Sequence, residues 1–154
     1  MITTTLEQLK KDGVCKIVYR RISAHLPVDW KQDCHIPIEM IVKSNGLYDA
    51  LWAVSISCKR SDIAVEFARW CSDEARKCAS YVDGSDQFHI VEQLAIGVKY
   101  ASMGVGYVDN LSGSYALAVD AACDTARCAK YVYGSCDDVI EKQKAKLIEL
   151  CEEG

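Results

Sequence analysis

The side chains with the most reactive chemistry in this 154-residue sequence are nine thiols and three imidazoles. The thiols are Cys15, Cys34, Cys58, Cys71, Cys78, Cys123, Cys128, Cys136 and Cys151; the imidazoles are His25, His35 and His89. Metal ligation by such residues needs close, matched spacing, and neither a C-x-x-C pair nor a ligand-spaced histidine cluster occurs. The expectation is therefore no metal site and no cofactor. Cys71 and Cys78 stand seven apart, on one face of a helix, where a thiol packs as a small hydrophobe. Cys34 and His35 adjoin, but neighbours in sequence point apart on a helix, which works against a thiolate–imidazole pair. Asp86, His89 and Glu92 lie three apart and reach toward a common point. At the start of a helix, however, such acidic residues are explained by the positive end of the dipole. P-loop, G-x-S-x-G, H-E-x-x-H and EF-hand patterns are missing, so no residue is assigned as catalytic.

The thiols also bear on compartment. Their number is odd, and the start of the chain, Met1-Ile2-Thr3-Thr4-Thr5-Leu6-Glu7, has no basic stretch leading into an apolar run. These features point away from a signal peptide and toward reduced thiols in the cytoplasm. No apolar run reaches the length of a membrane span. With 18 Lys and Arg against 22 Asp and Glu, the formal charge is −4. An acidic chain is a poor match for a phosphate backbone, so direct nucleic-acid binding is disfavoured. The same sign suits a partner with a basic face, such as a nuclease or nucleic-acid-binding effector.

Half of the residues are hydrophobic and only Pro27 and Pro37 interrupt the backbone donors, a composition that suits long helices around one core. Thr4 and Glu7 form a capping-box pattern for a short helix carrying Leu6 and Leu9, with Gly13 as its stop. Residues 15–22 fit a helical stripe (Ile17, Val18, Ile22) and also a β-branched strand, and both assignments stand. A short helix over 38–42 ends at Ser44-Asn45-Gly46. Leu47, Leu51, Val54 and Cys58 mark the next. Helices are then expected over 61–82, 87–103 and 112–132, the third rich in alanine. Ser135 and Asp138 open a last one through Ile148. Trp52 and Trp70 fall on apolar stripes and are assigned to the core, whereas Trp30 sits among charges. The predicted architecture is all-α: a single domain over 1–154, an antiparallel bundle of five to seven helices. Residues 1–28 form an N-terminal helix and connector ahead of the bundle proper over 29–154.

Cys78-Ala79-Ser80-Tyr81-Val82-Asp83-Gly84-Ser85 repeats as Cys128-Ala129-Lys130-Tyr131-Val132-Tyr133-Gly134-Ser135, with six of eight positions identical. Two helix ends with a glycine C-cap and a serine N-cap would look alike; a duplicated helical hairpin accounts for the likeness as well and is favoured slightly. If the last four helices alternate up and down, the turns at 83–85 and 133–135 share one end. That end would gather Asp83, Asp86, Asp137 and Asp138 around Tyr133. Dipole capping explains three of the four carboxylates, yet together they also make an acidic rim able to steer a basic partner onto an exposed tyrosine.

Asp29-Trp30-Lys31-Gln32-Asp33-Cys34, then Leu51-Trp52-Ala53, then Phe67-Ala68-Arg69-Trp70-Cys71, and later Gln93-Leu94-Ala95-Ile96-Gly97-Val98-Lys99-Tyr100-Ala101 resemble family five of the immunity proteins of bacterial polymorphic toxin systems. The likeness runs from Trp30 to Val132 in order and spacing. It departs at Ser57-Cys58-Lys59-Arg60, where the family's turn carries a proline. The resemblance implies an α-helical, non-enzymatic protein that binds a toxin or effector; related domains in phage would serve counter-defence. The alternative from another class is a small α-helical enzyme or ligand-binding bundle, with a pocket walled by the alanine-rich helix.

Overall fold

The computed structural model describes residues 1–80, Ile96 and residues 111–154, and of Leu111, Ser112 and Ser114 only the backbone. Within them the chain is predominantly helical. A two-residue strand β1 (Thr3–Thr4) precedes α1 (Leu6–Lys11) and α2 (Lys16–His25). A second strand, β2 (Ile36–Pro37), leads into α3 (Ile38–Asn45), α4 (Leu47–Trp52) and a π-helical segment (Ala53–Ser57). Three longer helices follow among the described residues: α5 (Ser61–Ser80), α6 (Leu111–Tyr133) and α7 (Asp137–Glu153).

Residues 15–22, open between helix and strand in the sequence, are helical. The only ladder among the described residues is instead β1 against β2, antiparallel, with Thr3 opposite Pro37 and Thr4 opposite Ile36. This pairing moves the first cap. Thr4 is drawn into the ladder, and Thr5 caps α1, its Oγ1 accepting the Gln8 N–H at 3.0 Å. The last helix shows a similar shift: Ser135 Oγ accepts the Asp137 N–H at 3.2 Å, while Cys136 occupies the cap position without a side-chain bond. Gly13, Gly46 and Gly134 all take positive φ, as turn signals following helices require.

The stripe expected through Cys58 runs regularly only to Trp52. Beyond it Cys58 N–H bonds to the Ala53 carbonyl at 2.8 Å, a five-residue span, and Lys59 takes a φ of 55° to end the segment. The extra residue carried by a π turn rotates the side chains after it about the helix axis. It turns Ser57 inward, where its hydroxyl bonds Thr4 at 2.8 Å, both buried.

Among the described residues, the most extensive helix contact is between α5 and α6. Thr125 Oγ1 donates across it to the Cys71 carbonyl at 3.0 Å, and Tyr133 bonds the Cys78 thiol. Partners therefore rise together along both helices, so α5 and α6 run parallel. The facing residues are small: Ala64, Ala68, Cys71 and Ala75 on α5, and Ala118, Ala121, Ala122 and Ala129 on α6, all inaccessible to solvent. Small side chains let two helix backbones approach closely. α7 runs antiparallel to α6, and buried Gln143 on it donates from Nε2 to the Ala122 carbonyl at 2.9 Å. Phe67 is buried, and Trp70 lies half-buried with its ring 6.2 Å from that of Phe67.

Candidate partner-binding surface

The contact between Cys78 and Tyr133 puts the end of α5 and the end of α6 at one pole of the molecule. Tyr133 is 56% exposed there, Tyr131 46%. Gly134, with φ of +78°, turns the chain into α7, whose first two residues Asp137 and Asp138 are exposed. The Asp137 carboxylate accepts from Ser135 Oγ at 3.0 Å, and both acidic groups stand in the first turn of the helix, where the backbone N–H groups favour negative charge. Three of the five residues expected to form the rim, Tyr133, Asp137 and Asp138, thus lie together. Asp83 and Asp86 lie outside the described residues, as do Asp86-His89-Glu92 and the helix over 87–103. Cys78 and Cys128, the first members of the fifty-residue echo, are both buried in this parallel pair, about one turn apart in its register.

The pole is mixed in sign rather than purely acidic. Arg127, Lys130, Tyr131 and Gly134 wall a cavity of about 510 Å3 beside the rim. Arg127 is partnered by Asp124 at 3.0 Å. Together these groups present two tyrosines between an acidic edge and a cationic one, a pattern suited to a protein surface bearing both signs.

Apart from half-buried Cys136, which caps α7 at this pole, the thiols lie away from it or beneath it. Cys71, Cys78, Cys128 and Cys151 are buried, Cys15 is exposed and the other four are intermediate. Burial pushes the Cys71, Cys128 and Cys151 thiols up to about 12 and Cys58 to about 11. They stay protonated at neutral pH, as core packing demands and a thiolate nucleophile does not. Cys34 is half-buried, while the His35 ring turns to the Thr3 hydroxyl at 2.9 Å. Trp30 is half-buried and its indole nitrogen has no acceptor among the described residues. Tyr48, 43% exposed, accepts a thiol hydrogen bond from Cys123 at 3.3 Å; burial first and that bond second raise its hydroxyl to about 12.

Among the described residues no cluster of His, Cys, Asp and Glu has the arrangement of a metal site. No helix among them is long and apolar enough to cross a membrane. One surface escaped the sequence reading, a pair of adjoining hollows at the opposite end of α6, around α2. Its signal was the basic composition of residues 10–21, which the net negative charge masked. Set against known proteins, the chain matches no family model, no curated protein and no solved structure.

Proposed function

We propose that the chain is a protein-binding inhibitor of the immunity type, blocking a toxin, nuclease or defence effector by direct contact. It would act in the cytoplasm, in bacterial immunity or phage counter-defence, without a cofactor and without catalysing a reaction. The observation that carries this reading is the pole where Tyr131 and Tyr133, at the end of α6, stand exposed beside Asp137 and Asp138 at the start of α7. Tyrosines supply large contact area at low conformational cost, and exposed carboxylates raise the rate at which a basic partner arrives. The immunity-protein likeness over 30–132 agrees with it. The upward-shifted thiols favour packing over chemistry.

The test begins with affinity capture from source-cell lysate and identification of the captured protein. Its association is then measured with Asp83, Asp86, Asp137 and Asp138 replaced by Asn or Ser, and separately with Tyr133→Ala. The reading requires slower association and a shallower salt dependence for the first, faster dissociation for the second, and a nearly unchanged melting temperature for both. Unchanged kinetics in both variants would leave these carboxylates as helix caps and nothing more.

A further inference from the structure

α2 is the least buried of the longer helices: of its ten residues only Ile22 is buried. It contains no acidic residue, and Lys16, Arg20, Arg21 and His25 are all exposed. Gly13, with φ of +83°, turns the chain so that Lys10 at the end of α1 stands beside Lys16 and Arg20. These three cations, with Tyr19 and Val14, wall a hollow of about 400 Å3. None of the three pairs with a carboxylate among the described residues. By contrast Arg76, Lys77, Arg127, Lys144 and Lys146 each pair with an acidic residue three positions away on their own helix. Like charges gathered around one concavity repel each other and focus positive potential into it.

Across Val14 lies a second hollow, of about 240 Å3, whose walls include Trp52, Tyr115 and Asp49. Trp52 and Tyr115 are half-buried and packed against the core, so their rings are held in place. Asp49 and Tyr115 line the same hollow, and burial first and the Asp49 charge second raise the Tyr115 hydroxyl. Asp49 already accepts from Asn45 Nδ2 at 3.0 Å and retains lone pairs for another donor.

A cationic hollow joined to an aromatic one with an acceptor at its edge suits an anion linked to a flat ring that carries an N–H donor. We propose that the two hollows form one site for a nucleoside phosphate with an exocyclic amino group. Phosphates sit among Lys10, Lys16 and Arg20, the base lies against Trp52 and Tyr115, and its amino group donates to Asp49. Joined, the hollows fall within the ~300–1,000 Å3 of small-molecule sites. Tyr115 and Tyr133 are separated by about 27 Å along α6 at 1.5 Å per residue, so this site is distinct from the protein-binding pole.

The experiment is calorimetry, with tryptophan fluorescence in parallel, on the full chain. The probes are ATP, inosine triphosphate, adenosine, tripolyphosphate and a short oligothymidylate. Expected is binding of ATP, weaker by about tenfold or more for each of the other four, since each lacks the phosphate, the base or the amino group. Lys16→Glu with Arg20→Glu, both exposed, should lose ATP binding by more than about tenfold, while Lys142→Glu on α7 should leave it unchanged. Asp49→Asn should erase the preference for ATP over inosine triphosphate. No ATP binding, equal binding of tripolyphosphate, oligothymidylate binding without ATP binding, or an unaffected charge-reversed variant would each overturn the proposal.

Discussion

Replacing Ala122 with leucine tests the parallel packing of α5 and α6 most directly. Ala122 has no accessible surface, lies on the α6 stripe that also carries Ala118, Ala121 and Ala129, and offers its carbonyl to Gln143 of α7. Leucine adds three carbon atoms where the neighbours are already in contact. The helices must part, or the side chain must leave its preferred rotamer, at about 1–3 kcal/mol. For a chain of this size each kcal/mol lowers the melting temperature by roughly 2–4 °C, so Ala122→Leu should lower it by roughly 2–12 °C. Ala116 on the same helix is exposed, and Ala116→Leu should change stability by less than about 0.5 kcal/mol. Circular dichroism melts and urea titrations of both variants give the comparison. If Ala122→Leu melts with the parent, or Ala116→Leu loses as much, small-residue packing between these helices is the wrong account of the core.

Thiol chemistry gives a second measurement: nine groups should react in denaturant. In the native protein Cys15 should react first, with Cys71, Cys128 and Cys151 slower by a hundredfold or more, the factor set by a local opening of about 3 kcal/mol. A disulfide recovered from freshly purified protein would contradict the reduced state. The same thiols set an alkaline limit. Unfolded thiols ionise near 9.0, whereas burial raises Cys71, Cys128 and Cys151 to about 12. Between these values the native state holds more protons, so stability is fully present below about pH 9 and falls as pH rises toward about 12. Urea midpoints that hold steady from pH 8 to 11 would mean that these thiols are not buried. Gln143 is wholly buried, and its Oε1 has no donor among the described residues. Gln143→Met should therefore be neutral or stabilising by up to about 2 kcal/mol, whereas Gln143→Glu should cost more than about 3 kcal/mol at pH 7 and recover partly under acid. Equal losses in the two variants would place the amide in a complete hydrogen-bond network.

Helices α3 to α7 were legible because apolar spacing and glycine stops are local signals: Ile38 and Val42, Leu47 and Leu51, Ile63 and Phe67 fall on the buried faces their periodicity marks. What was illegible depends on distant partners. Thr5 rather than Thr4 caps α1 because Thr4 is claimed by a ladder to Ile36, thirty-two positions away. The π segment brings Ser57 to Thr4 across the core, fifty-three positions away, a meeting that no local pattern records. At the candidate sites the same division holds. Tyr133, Asp137 and Asp138 flank one turn, and their grouping could be read from that turn. The α2 hollows draw Lys10, Trp52 and Tyr115 from three separate stretches, and only the fold brings them to one place.

The two extremities of the chain are stitched together. The Ile2 N–H donates to the Cys151 carbonyl at 2.7 Å, and the Met1 ammonium to the Glu152 carbonyl at 3.2 Å. Gly154 in turn accepts from the Arg60 guanidinium at 3.3 Å. A short glycine-rich bridge from Gly154 to Met1 would thus close the backbone into a ring without displacing a helix, and the ring could be reopened at Gly46, where a Cβ would meet nothing within 4 Å. Such a permutant moves both new ends away from the seam, and anything fused to them would enter and leave the molecule at the turn between α3 and α4.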